Sequence, residues 1–126
     1  MTGSEETNLA IDLKYYRMRI SRATLQGIGS PRFIQFLVNP MKKEIAIRSA
    51  TKMSAPDQTC RVDWERHQNR SYIEVKSKLF LHTLCSEMAG MSEGKSYRLR
   101  GLMVPAEEMV VFSLADHRSL ERSVQQ

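Results

Sequence analysis

The sequence contains only two cysteines, Cys60 and Cys85, and they lie outside any CxxC or Cys/His ligand spacing. So few cysteines exclude a disulfide framework, and their spacing gives no support to a zinc site. Cys85 falls in an apolar helical pattern and is interpreted as a small core residue. For Cys60 two interpretations stay open: a loop cysteine, or a thiol whose pKa is lowered by the adjacent Arg61.

Long apolar stretches are also missing. An uncharged, apolar-rich run such as residues 34–40 is short, whereas a membrane-spanning helix needs about 20 apolar residues. Residues 1–13 are acidic and polar, which does not fit a secretory signal peptide. We therefore expect a cytoplasmic protein with no membrane partner. The 126 residues favour one domain that folds without a metal or disulfides.

Motifs for catalysis and cofactor binding are missing as well. The sequence contains no HExxH, GxSxG, P-loop or GxGxxG pattern. Its histidines, His67, His82 and His117, lie in unrelated contexts, and no cluster of ligand residues supports a metal site. Glu107 and Glu108 are adjacent in a turn and diverge, which does not suit an acid–base pair. We therefore expect a protein that is not an enzyme and needs no cofactor.

Positive charge is unevenly distributed along the chain, whose net charge is +5. Residues 14–78 contain fourteen Lys and Arg against five Asp and Glu. Residues 1–13 contain three acids and no base, and residues 79–126 contain five bases against six acids. A basic block of this size is typical of surfaces that bind phosphates, although basic surfaces also occur without a polyanion partner.

Hydrophobic periodicity and helix-capping residues predict a strand–helix–strand–strand unit in the first half of the chain. A strand over residues 17–20 leads to Ser21 as the helix N-cap, and the helix covers residues 22–28. A β-hairpin follows over residues 32–48 and is closed by a polar turn at residues 39–43.

The second half repeats this order. A strand over residues 72–76 precedes Ser77 as the N-cap and a longer helix over residues 78–91. Two strands, over residues 96–103 and 109–114, complete the second unit. Because the elements and their caps follow in the same sequence, the pattern predicts an internal repeat.

The remaining segments lie outside the two units. Alternation over residues 9–13 predicts another strand, with a bulge or break at Tyr15 and Tyr16. Turn-forming residues predict an irregular loop between the units. The expected organisation is a disordered N-terminus (1–8), one domain (9–116, with units 14–49 and 71–115 and a loop 50–70) and a polar tail (117–126).

Neither unit can bury its apolar face alone, so packing the two around a pseudo-twofold axis closes one core. We therefore predict the α+β class, with two pseudo-symmetric β-α-β-β units packed into one small barrel-like domain. Chance similarity between two alternations of strands and helices is the alternative explanation.

Residues 18–48 resemble the core of the swapped-hairpin AbrB/MazE-type DNA-binding domain. The resemblance lies in the helix end Leu25–Gly29 and in the last strand Glu44–Arg48. The segment before the helix departs from the family, and the usual proline between strand and helix is missing. Family members build the barrel from two chains, whereas this chain contains both units.

The resemblance implies DNA binding through basic residues on the strand and at the helix start. Arg17 and Arg19 share one strand face because side chains alternate with period two. The second unit has lysines at the corresponding strand end and helix start, and the loop around Trp64 carries two further arginines. The candidate nucleic-acid-binding residues are Arg17, Arg19, Arg22, Arg66, Arg70, Lys76 and Lys78.

We therefore predict a non-enzymatic protein of AbrB-like type that binds duplex DNA, either a transcriptional regulator or an accessory protein of a mobile element. The alternative is a protein–protein assembly or antitoxin-like module that binds no nucleic acid. Solvated surface bases are another explanation of the same residues, because cations are unfavourable at a helix N-terminus. A homo-oligomer is compatible with each of these functions.

Overall fold

Eight strands and two helices make up the described part of the chain. The computed structural model describes residues 7–51, 58–88 and 90–119, with side chains up to Leu114. The strands are β1 (Asn8–Asp12), β2 (Arg17–Ser21), β3 (Phe33–Asn39), β4 (Glu44–Ala50), β5 (Thr59–Arg61), β6 (Tyr72–Lys76), β7 (Ser96–Val104) and β8 (Met109–Ser119). The helices are α1 (Arg22–Gly27) and α2 (Lys78–Glu87), and a short 3-10 turn covers Pro105–Glu107.

The eight strands form one antiparallel sheet in the order β5-β3-β4-β8-β7-β1-β2-β6. The sheet curls into a nearly closed barrel around one apolar core. Its end strands approach each other where Ser77, directly after β6, lies beside the Cys60 thiol on β5. Near closure of this kind leaves few unpaired strand edges. The α+β class and the barrel-like domain predicted from the sequence are therefore confirmed.

The core consists of the inward side chains of the strands and the apolar faces of both helices. Alternation along each strand points every second residue inward, as the buried Leu9 and Ile11 on β1 illustrate. Phe36 on β3 stacks against Phe80 on α2 with ring centroids 4.6 Å apart. Since these two rings come from opposite halves of the chain, neither half has a complete core without the other.

Most predicted strands are found within a few residues of their expected bounds. The hairpin predicted over residues 32–48 is β3–β4, and the predicted strands of the second half are β6, β7 and β8. The break at the two tyrosines is a hairpin turn that joins β1 to β2. Tyr16 has a left-handed φ of 56° there, and the Asp12 carboxylate accepts hydrogen bonds from the backbone N–H groups of Lys14 and Tyr15.

Both predicted N-caps are confirmed. The Ser21 hydroxyl accepts a hydrogen bond from the Thr24 backbone N–H at 3.2 Å, and the Ser77 hydroxyl accepts one from Phe80 at 3.3 Å. Helix α2 is shorter than predicted, because the backbone turns extended at Met88 with φ −110° and ψ 107°. Its predicted end at residue 91 is therefore wrong.

We expect Ser21→Ala and Ser77→Ala each to lower the free energy of unfolding by about 1 kcal/mol, because each leaves a helix N–H group without its acceptor. Urea denaturation measures the change. Asp at either position restores an acceptor and should recover most of the loss. Ser86→Ala serves as the control, since its exposed hydroxyl caps no helix start. A control variant as destabilised as the cap variants would contradict the capping argument.

The structure differs from the sequence predictions in the middle loop and at the termini. The segment predicted as irregular contains β5, which pairs with β3, and residues 52–57 lie outside the described residues. At the start, Thr7 is buried and β1 begins at Asn8, while residues 1–6 are not described. At the other end, β8 continues to Ser119 into the predicted tail, and residues 120–126 are not described.

Candidate nucleic-acid interface

The outward side chains of four neighbouring strands, β7, β1, β2 and β6, form one continuous surface. The register aligns Arg17 on β2 with Asp12 on β1 and with Lys76 on β6. It also aligns Arg98 on β7 with Ala10 on β1. We call this surface the basic face, and its charged residues are Asp12, Arg17, Arg19, Glu74, Lys76, Arg98 and Arg100.

Two carboxylates on the basic face hold two of its arginines in place. Arg17 Nε lies 3.2 Å from Asp12 Oδ2, and Arg17 Nη1 lies 3.8 Å from Glu74 Oε2. Arg19 Nε lies 3.8 Å from Glu74 Oε1. These ion pairs are partly exposed, so they orient the guanidinium groups more than they stabilise the fold.

The other three bases of the basic face are exposed. Lys76, Arg98 and Arg100 have no ion-pair partner among the residues whose side chains are described. The face therefore carries five basic side chains against two carboxylates. An excess of positive charge on a sheet surface attracts polyanions.

The loop between β5 and β6 extends this charge beyond the sheet edge. Arg66, Arg70 and Lys76 line a cavity of about 230 Å³ together with His67 and Glu74. All three cations of the cavity are exposed. The cavity is open to solvent and can receive an anionic group such as a phosphate.

Tyr72 links the basic face to this loop. The Arg19 guanidinium lies over the Tyr72 ring, 4.8 Å from its centroid, and the Arg70 guanidinium lies 5.8 Å from the same centroid. Arg70 Nη1 also donates a hydrogen bond to the Tyr72 hydroxyl at 3.2 Å. The ring thus holds two cations in one cluster.

Arg22 has a different position from Arg17 and Arg19. Its Nε donates to the Arg70 carbonyl oxygen at 2.8 Å, and its Nη2 donates to the His67 carbonyl oxygen. The guanidinium lies 5.6 Å from the centre of the Trp64 ring. Arg22 is therefore placed to hold the loop 64–70 against the start of α1.

His67 ties the same loop to β6. Only 6% of the residue is exposed, and both ring nitrogens are engaged. Nε2 accepts a hydrogen bond from the Glu74 backbone N–H at 3.3 Å, which puts the proton of the neutral ring on Nδ1, 3.0 Å from the Asp63 carbonyl oxygen. Sequence reasoning assigned no role to this histidine.

Lys78 lies apart from the basic face, in an aromatic cluster at the β1–β2 turn. Its Nζ is 5.8 Å from the centre of the Tyr16 ring, which stacks on His82 at 4.7 Å. Glu93 accepts a hydrogen bond from the Tyr16 hydroxyl at 2.5 Å and lies 3.2 Å from His82 Nδ1. The hydrogen bond to Glu93 is the main cause that raises the pKa of Tyr16.

Neither cysteine has an activated thiol. Burial raises the pKa of Cys60, so the interpretation that Arg61 lowers it is wrong. Burial, and then the nearby Glu93 carboxylate, raises the pKa of Cys85 to about 11. Cys85 is only partly buried against the core, at the boundary and not inside it.

The structure thus brings some of the predicted residues together and separates others. Arg17, Arg19 and Lys76 share the basic face, Arg66 and Arg70 adjoin it, and the remaining two, Arg22 and Lys78, lie elsewhere. Arg98 and Arg100 were missed, although their alternation with the buried Leu99 signals an outward strand face. What the sequence does not show is the pairing of β7 with β1.

Comparison with family models, with curated proteins and with solved structures finds no match to this chain. In the described ranges, no helix has the length and apolar character required to cross a membrane. The same part of the chain contains no group of three or more His, Cys, Asp and Glu residues arranged to hold a metal ion.

Proposed function

We propose that this protein is a non-enzymatic DNA-binding protein that contacts the backbone of duplex DNA through the basic face. The observation that carries the proposal is the register of β7, β1, β2 and β6. It gathers five basic side chains from strands far apart in sequence onto one surface. Lys and Arg on such a surface neutralise phosphates and release their counterions.

The dimensions of the basic face suit a duplex. Four neighbouring strands span three strand spacings, roughly 14 Å along the curved sheet. The loop with Arg66 and Arg70 widens the charged surface beyond β6. The major groove is about 12 Å wide, so cations at the two ends of the face reach both backbones that border it. Contacts of this kind position a protein on DNA and read no sequence.

The AbrB-like type of domain, and with it a role as a regulator or mobile-element accessory protein, belongs to the same proposal. The proposal also includes a pseudo-twofold relation between two units. The first unit now consists of β1–β4, and the second consists of β5–β8. Exchanging the two sets of strands turns each observed pairing into another observed pairing, except for β1–β2. The counterpart of that pairing, β5–β6, falls at the gap in the barrel. This correspondence supports the relation between the units.

Fluorescence anisotropy with a labelled duplex of random sequence tests the function. We expect binding at low salt, with a logarithm of affinity that falls linearly with the logarithm of salt concentration. Replacing Lys76, Arg98 and Arg100 by Gln should weaken binding at least about tenfold and lower the salt slope by roughly two to three.

Replacing Arg32, Lys42 and Lys43 by Gln provides the matched control, because it also removes three charges, all from exposed residues outside the basic face. The control should lose little affinity. Absence of binding at low salt would contradict the function itself. Equal losses in both variants would instead contradict the assignment to the basic face. Purification with a stoichiometric protein partner and no affinity for DNA would favour the assembly module.

A further inference from the structure

The outward side chains of β3, β4, β8 and β7 form an apolar row on the barrel surface. The register aligns Leu37 with Ala46, Ala46 with Val111, and Val111 with Leu102. Leu102 is 77% exposed, whereas Leu37, Ala46 and Val111 are half-buried. We call this surface the apolar face, and it consists of Leu37, Ala46, Leu102, Val104, Met109 and Val111.

Opposite charges flank the apolar row on its central strand. Glu44 and Arg48 both point outward on β4, on either side of Ala46. Each lies two residues from Ala46 along the strand, a distance of about 7 Å. Arg48 Nε donates to Gln35 at 2.9 Å, and its Nη groups have no partner among the described residues.

We propose that the apolar face is the interface of a twofold-symmetric dimer of this chain. In an isologous interface the same patch of both copies meets, and each contact occurs twice. A twofold axis that runs along the apolar row, between two facing sheets, reverses the direction of β4 in the second copy. Ala46 then meets Ala46, and Glu44 of each copy lies opposite Arg48 of the other.

The charge pattern selects a second copy over another protein as the occupant. On β4 the acid and the base are equally spaced about the row, so this central strand is complementary to itself in this orientation. An apolar centre with a charged rim is the usual anatomy of a protein interface. The proposal does not depend on DNA binding.

Sedimentation equilibrium of the full chain over a range of concentrations tests the dimer. We expect the wild type to form a concentration-dependent dimer, and Leu102→Asp to raise its dissociation constant at least about tenfold. Leu79→Asp is the matched control, because Leu79 is 59% exposed on α2, outside the apolar face. The control variant should dimerise as the wild type does. Circular dichroism verifies that both variants fold.

Charge reversal tests the orientation of the two copies. Glu44→Arg alone and Arg48→Glu alone each place like charges opposite each other twice, so each should weaken the dimer about tenfold. The double variant Glu44→Arg with Arg48→Glu restores both pairs and should return the dissociation constant to within about threefold of wild type. A monomeric wild type, single reversals without effect, or a double variant that stays weak would each overturn the proposal.

Discussion

Replacing Gly101 by alanine is expected to lower the free energy of unfolding by about 2–3 kcal/mol, because no space exists for the added methyl group. A Cβ at this position would lie 2.6 Å from Phe112 Cδ1 and 3.1 Å from Thr7 Cγ2. The Phe112 side chain is fully buried and Thr7 is nearly so. The Gly101 N–H also donates to the Thr7 carbonyl oxygen at 2.9 Å, which fixes the backbone in place.

Thermal and urea denaturation measure this loss, which corresponds to a fall in Tm of roughly 10 °C. Gly27→Ala is an instructive control, since a Cβ there would meet Met103 Cε at nearly the same distance, 2.7 Å. A methionine methyl group moves aside at small cost, and alanine favours the helix by up to about 1 kcal/mol over glycine. Equal destabilisation by the two variants would show that Phe112 is not the obstacle.

Replacing Arg22 by alanine is expected to release the loop 64–70, with a loss of about 2 kcal/mol in the free energy that keeps it closed. The change removes two charge-assisted hydrogen bonds, to the carbonyl oxygens of His67 and Arg70. It also removes the contact between the guanidinium and the Trp64 ring. The open loop should be populated roughly 30-fold more, because each 1.4 kcal/mol is tenfold.

Limited trypsin digestion reports this opening, because Arg66 and Arg70 are cleavage sites within the loop. Hydrogen exchange of the same residues gives an independent measure. Arg22→Lys keeps the charge, but its single ammonium group cannot reproduce both hydrogen bonds of the guanidinium. This variant should therefore restore resistance to trypsin only in part. Arg32→Ala, which removes an exposed arginine, should leave cleavage at its wild-type rate. If the loop of the Arg22→Ala variant stays as resistant to trypsin as in the wild type, Arg22 does not hold the loop 64–70 in place.

The elements that could be predicted from the sequence are those determined by residues close together in the chain. The β3–β4 hairpin follows from alternating residues on either side of a polar turn, and the two helix starts follow from Ser21 and Ser77. Strand β5 was not predicted, because three residues are too few to show the alternation of apolar and polar side chains that is typical of a strand. It is recognisable as a strand only through its pairing with β3.

The candidate site was predictable only in part for the same reason. Alternation places Arg17 and Arg19 outward on β2, and this much follows from the sequence alone. The contribution of Arg98 depends on the pairing of β7 with β1, a contact between distant parts of the chain. The position of Arg22 depends on where the loop folds back, which the helix start does not reveal.

The place of β1 in the sheet affects how the chain folds during synthesis. One edge of β1 pairs with the adjacent β2, and its other edge pairs with β7. The partner of Asp12 on β7 is Ser96, which is synthesised 84 residues later. At roughly 5–20 residues per second, the ribosome needs about 4–17 s to make that length of chain. During this time the β1–β2 hairpin exposes an unpaired strand edge. Such an edge can pair with strands of other chains and so promotes aggregation. Chaperone binding to the nascent chain should therefore concentrate in the interval before β7 emerges.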